Sequence, residues 1–209
     1  MNNDLKALIG TGENVLYEGK PNKKCFIFES VFNPLLPFAL LWAIIDFGII
    51  GLSFMDSSAQ SAMFLIPFFL IHLMPVWLYL GGVIFTFRKY KNTYYIVTDK
   101  AIYVSSGIFS KTFNNKPFAE MSHVDLHRGV FDQMFNVGDV VVSSNSFTPV
   151  RTNNYSGERA GSISINSISN YTEVYQMVKK LQTDIYTDVM YPNDLRPEEN
   201  HGYNTQYKG

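Results

Sequence analysis

Two long apolar runs in the first half of the chain restrict what it can fold into. Pro34 to Phe54, PLLPFALLWAIIDFGIIGLSF, carries one charged residue, Asp46. Ala62 to Phe87, AMFLIPFFLIHLMPVWLYLGGVIFTF, carries no Lys, Arg, Asp or Glu. A helix of about 20 residues crosses the roughly 30 Å hydrocarbon core of a bilayer. Both runs reach that length, and soluble helices are rarely apolar on every face. The expectation is two transmembrane helices, about 34–54 and 62–87.

The connection between them, MDSSAQS, is short enough to force antiparallel helices and contains no Lys or Arg. Lys20, Lys23 and Lys24 precede the first run, and Arg88, Lys89 and Lys91 follow the second. The positive-inside rule then places both termini in the cytoplasm, as in a multi-pass cell-membrane protein. The first apolar run starts too late and is too long for a signal peptide, so the N-terminus is expected to be retained.

Composition adds limits. Charged residues are 17% of the chain and the net charge is −1, so nothing advertises nucleic acid as a partner. The single cysteine, Cys25, can form neither an internal disulfide nor a four-thiolate zinc site. It reads as an ordinary thiol in a reducing compartment.

Two polar residues interrupt the spans. Asp46 and His72 lie at similar distances from the connection, so a hairpin brings them to similar depth. A lone carboxylate in hydrocarbon is costly and calls for a partner. The expectation is an intramembrane polar pair that registers the hairpin. A proton or ion path would need further polar groups. Trp42 and Trp77 also match in depth and read as packing or interfacial anchors. Pro37 suits a first helical turn, whereas Pro67, Pro75 and Gly81-Gly82 are expected to kink or loosen the second helix.

After Lys91 the pattern changes to short alternating runs. Tyr94–Thr98, Ala101–Ser105, Phe109–Phe118 (interrupted at Asn114-Asn115), Met121–Leu126, Asp139–Ser143 and Ser162–Ser167 read as strands. Asn170 with Glu173 resembles a capping box, and Tyr171, Val174, Tyr175, Val178, Leu181 and Ile185 then mark one face of a helix. The polar residues after Pro192 suggest a mobile tail. The fold class expected is a membrane α hairpin followed by a mainly-β antiparallel barrel or sandwich capped by a C-terminal helix. The domain limits expected are 1–32 for a cytoplasmic N-terminal segment, 33–88 for the hairpin, 89–190 for the β domain and 191–209 for the tail.

Three stretches carry a family likeness: the Gly12-Glu13 lead with Leu16 and Pro21, YYIVTDKAIYVSSGIFSK from Tyr94 to Lys111, and HVDLHRGVFDQMFNVGDVVV from His123 to Val142. With the hairpin in front, the chain resembles the bacterial pleckstrin-homology (PH) domain family of small membrane proteins from about Gly12 to Gln182. The stretch Ser144 to Gly161 departs from that pattern, being longer and more polar, and reads as a disordered loop or a lineage-specific binding element. The resemblance implies a PH-like domain and a non-enzymatic adaptor or scaffold. Its partners would be the lipid bilayer and a protein, a peptide or a second copy.

Few residues suggest chemistry. His123, Asp125 and His127 alternate along one strand face and are weak metal-ligand candidates. A solvent-facing strand edge is the plainer explanation. No phosphate loop, nucleophile elbow or metalloprotease helix is present, so no catalytic residue and no cofactor are assigned. Between Arg88 and Arg128 seven Lys or Arg accompany three acids. Arg88, Lys89, Lys91, Lys100 and Lys111 are therefore possible headgroup contacts, although the first three also serve topology. The rival function is a part in a membrane transport or envelope-stress assembly that uses Asp46 and His72.

Overall fold

The computed structural model describes residues 3–56, 67–144, 147–152 and 155–190, by backbone alone at 3, 53–56, 147–152, 155–160 and 186–190. The expected tail and most of the expected hairpin connection lie outside the described residues. The chain divides into two compact units, Met1–Cys25 with Asn92–Gly209, and Phe26–Lys91.

In the first unit, α1 (Asn3–Lys6) precedes β1 (Val15–Gly19), and the chain returns with β2 (Tyr94–Thr98), β3 (Ala101–Ser106) and β4 (Thr112–Pro117). These form an antiparallel sheet in the order β1-β2-β3-β4. A second sheet contains β5 (Met121–His127), β6 (Gly138–Ser144) and β9 (Ile163–Ile168), in the order β5-β6-β9. The helix α5 (Val130–Phe135) lies between β5 and β6 in sequence, and α6 (Tyr171–Met190) follows β9.

The strands do not close into a barrel. Among the described residues they remain two sheets of four and three strands, plus a separate two-stranded hairpin. The interruption falls at Pro117, which has no N–H to extend a ladder, and at the 3₁₀ turn Phe118–Glu120 that follows it. The sandwich half of the expectation fits this arrangement. Asn114-Asn115 do not interrupt β4, because they pair across the ladder with Val104 and Tyr103. The stretch Ser144 to Gly161, expected as a disordered loop or a lineage-specific binding element, holds β7 (Phe147–Thr152) and β8 (Tyr155–Ala160), paired from Phe147↔Ala160 to Thr152↔Tyr155.

Alternation explains the core. Tyr95 and Val97 of β2, and Ile102 and Val104 of β3, face inward against Val140, Val142 and the α6 residues Val174 and Val178. Their neighbours Tyr94, Ile96, Ala101 and Tyr103 face the other way, yet are buried as well. The cover on that outer side is the N-terminal segment, with Leu5 fully buried against them. A run buried on both faces shows no polar alternation, which is why YYIVT is continuous.

The β3–β4 connection depends on Gly107, whose φ is +137°. A Cβ there would lie 1.8 Å from the Ser110 carbonyl oxygen. Gly107→Ala is therefore expected to destabilise the domain by about 1–3 kcal/mol, read as a lower midpoint in denaturant with an unchanged slope.

The second unit contains most of α2 (Lys23–Val31), α3 (Leu35–Asp56), a helical stretch at 67–72 and α4 (Met74–Asn92) up to Lys91. The second apolar run is not one helix. Among the described residues it breaks at Leu73, two residues before Pro75. Gly81-Gly82, by contrast, sit within an unbroken α4. Among the described residues one helix, over Leu35–Leu52, is both long and apolar enough to cross a membrane.

Candidate functional site

In the helical unit the polar residues converge. His72 Nδ1 lies 2.9 Å and 3.1 Å from the two carboxylate oxygens of Asp46. Asp46 is fully buried, whereas the His72 side chain is 37% exposed. The imidazole is stacked between two rings, Trp42 at 5.1 Å and Phe68 at 5.2 Å between centroids.

The helix break supplies the reason for this geometry. Pro75 cannot donate to the carbonyl four residues earlier, and the Val76 and Trp77 amides both turn to the Leu73 carbonyl, at 2.9 and 3.1 Å. The His72 carbonyl, which Val76 would serve in a regular helix, instead accepts from Trp42 Nε1 at 2.8 Å. Trp77 Nε1 donates to the Leu70 carbonyl at 3.1 Å. Both tryptophans thus serve backbone groups around the break, beyond the packing role expected of them. Satisfying such groups internally is obligatory in an apolar surround.

Elsewhere in this unit Ser30 and Thr86 share a hydroxyl hydrogen bond of 2.6 Å, and the Tyr79 hydroxyl donates to the Val31 carbonyl at 2.9 Å. These bonds tie α2 and its C-terminal end to α4. Arg88, Lys89 and Lys91 are exposed near the end of α4, with Lys89 Nζ 5.8 Å from the Phe26 ring centroid.

In the sheet unit the N-terminal segment is held by polar contacts around Leu5. Asp4 pairs with Lys111 at 2.7 Å, and Lys6 pairs with Glu18 at 2.6 Å. Glu13 accepts from Thr98 at 2.7 Å and from the Tyr103 hydroxyl at 3.0 Å. Asn14 donates through its backbone and its side chain to Asp99. The Tyr94 hydroxyl donates to Glu18. Burial, followed by that bond, pushes the Tyr94 phenol up to about 12. Fully burying a leucine yields about 1.5–3 kcal/mol, whereas each ordered residue costs about 1–2 kcal/mol. Residues 3–9 therefore belong to the weakly held part of the domain.

The hydrogen bonds from Lys6 and Tyr94 lower the Glu18 carboxyl below its ordinary range. A depressed folded value means that the contribution is present above the unfolded value and lost as pH falls through the folded one. Acidification below the ordinary carboxylate range is thus expected to raise amide exchange in residues 3–9 before the rest of the sheet. Glu18→Gln should abolish that step.

The remaining candidates are dispersed. His123, Asp125 and His127 are exposed along β5, an edge strand, and among the described residues no grouping of metal-ligating atoms forms around them. Lys100 is exposed in the β2–β3 turn, and Lys111 is engaged by Asp4. Cys25 is buried with its Sγ 3.6 Å from Asp132 Oδ1. That carboxylate is buried too, and its other oxygen accepts the Gly129 amide at 2.8 Å, closing the first turn of α5. This buried thiol–carboxylate contact has no local sequence signal, since the two residues are 107 apart.

Antiparallel sheets followed by a C-terminal helix fit a PH-like domain. A family profile described as "Bacterial PH domain" matches residues 36–182. The chain belongs to the bacterial PH domain family. No curated protein and no solved structure gives a match to it. The match begins within α3 and ends within α6, so β1 and the N-terminal segment precede it. In this bacterial PH domain β1 is nevertheless part of the first sheet, with Gly19 paired to Tyr95 and Glu18 to Ile96. A bacterial PH domain suggests a binding module without an enzymatic role.

Proposed function

We propose that the protein is a membrane-anchored PH-like module, a non-enzymatic adaptor or scaffold that binds a protein or peptide segment at the cytoplasmic membrane face. The observation that carries this reading is the bacterial PH domain match over residues 36–182. Anchoring by two spans draws support from α3, whose outward residues include Ile44 at 70% and Leu52 at 71% exposure. A soluble surface rarely carries so large an apolar patch. The second apolar run and the flanking lysines and arginines support a hairpin with both termini cytoplasmic. Edge strands such as β4 offer unpaired backbone groups for an extended peptide. Arg88, Lys89, Lys91 and Lys100 would add attraction to anionic headgroups.

A second reading draws on the polar pair in the apolar unit. There Asp46 and His72 serve a transport or envelope-stress assembly, since buried intramembrane acids often mark such roles. Asp46→Asn separates the two. The adaptor keeps its partner, whereas a conducting assembly loses activity even though the protein inserts.

Photo-crosslinkers at Lys100 and Asn115, activated in intact membranes, test the adaptor. One recurrent protein adduct, lost on mutation of β4, is the expected result. Lipid adducts alone, or none above background, would overturn the protein-binding reading.

A further inference from the structure

The outer face of the first sheet holds the chain's own N-terminal segment in the manner of a bound peptide. The fully buried anchor is Leu5, seated against Tyr94, Ile96, Ala101 and Tyr103, with Ile9 packed partly buried against the same cluster. An acid and a base flank it, and each meets an opposite charge on the sheet unit, Asp4 with Lys111 and Lys6 with Glu18. Exposed pairs of this kind fix orientation and selectivity more than they add affinity. The segment joins β1 through Gly10-Thr11-Gly12, where Gly12 has φ +81°, a conformation suited to a hinge. Beside the anchor an open pocket of ≈ 200 Å³ is lined by Leu8, Tyr103, Phe113, Asn114 and Asn115. The segment borders that pocket through Leu8, and β4 forms the adjoining edge of the sheet.

We propose that this face is a peptide-docking groove, closed in cis by residues 3–9 and opened by a partner-protein segment of matching chemistry. That segment presents an acid, a large apolar residue and a base in succession, with a second apolar side chain to take the place of Leu8 beside Tyr103 and Phe113. The charge complementarity is written in the cis contacts themselves. The partner must compete with a tethered occupant at high effective concentration. The N-terminal segment thereby acts as an autoinhibitory strap. This inference rests on the peptide-binding reading above and names its site.

The test uses full-length protein in detergent micelles and a fluorescent peptide of the sequence MNNDLKALIG, followed by anisotropy. Wild-type protein should not bind it saturably, because its own strap fills the groove. Leu5→Asp in the protein should release the strap and give saturable binding, and a peptide carrying the same change should not bind. Adding Lys111→Glu to the released protein should weaken binding several-fold, and a peptide with Asp4→Lys should restore it. If Leu5→Asp fails to fold, Leu5→Ala replaces it. A folded, strap-released protein that ignores the peptide, or equal binding to wild type, would overturn the groove. A crosslinked partner found together with either of those results would overturn the groove alone and leave the adaptor reading standing.

Discussion

Replacing His72 with alanine is expected to destabilise the helical unit by about 3 kcal/mol or more. Asp46 is fully buried, and His72 Nδ1 is bonded to both of its oxygens. Removing the imidazole strands a carboxylate in apolar surroundings and also strips Trp42 and Phe68 of the ring stacked between them. Asp46→Asn should cost less, because the amide oxygen still accepts from the imidazole. The double change His72→Ala with Asp46→Ala should recover part of the loss, since it removes the stranded charge. Unfolding in micelles followed by Trp42 fluorescence, with Trp77→Phe to isolate the signal, reads all three variants. Equal effects for His72→Ala and Asp46→Asn would show that packing, not the polar pair, sets the stability.

Deleting residues 1–22 should have a still larger effect, although it leaves the whole family-matching region intact. It removes β1 from the ladder with β2, the Glu13 acceptor for Thr98 and Tyr103, and the Leu5 cover of the outer face. Tyr94, Ile96, Ala101 and Tyr103 would then meet water. The combined loss is comparable to the stability of a whole domain, about 5–15 kcal/mol. The truncated chain is expected to lose cooperative unfolding and amide protection in β2 and β3, while α6 helicity persists longer. Native-like exchange in β2 after the deletion would contradict the role given to β1.

What the sequence disclosed follows physical lines. β2 and β3 were legible because they are apolar, β-branched and joined by a two-residue turn at Asp99-Lys100. The α6 face was legible from its spacing, and its buried residues Val174, Val178 and Leu181 lie on it. β1 was not legible, because its partner is distant in sequence, Gly19 pairing with Tyr95 across the inserted helices. β7 and β8, FTPVRT and YSGERA, include a proline, a glycine and charged residues and show no sustained apolar alternation, so their composition argues for loop. The Asn114-Asn115 break was overridden by pairing with β3, since cross-strand partners outweigh weak local propensity.

The same division holds at the candidate sites. Helical rise alone sets Asp46 and His72 at similar depth, and in the structure their atoms meet at 2.9 Å. The indole bonds of Trp42 and Trp77 to backbone carbonyls depend on the break before Pro75, and no pattern of residue types foretells which carbonyls it frees. The strap was invisible because Leu5 lies in a short polar lead, and its receiving face is assembled from strands some ninety residues later. Charge complementarity between Asp4 and Lys111 or Lys6 and Glu18 has no meaning until the fold brings them together.

The most direct test of a membrane-anchored module is the accessibility of single cysteines to an impermeant maleimide in intact cells, in a Cys25→Ser background. The account predicts that Ser58→Cys, in the connection between the apolar runs, is labelled from outside. Asn114→Cys, on β4, should be labelled only after the cells are permeabilised. Labelling of Asn114→Cys in intact cells, or recovery of the protein in the soluble fraction, would contradict it.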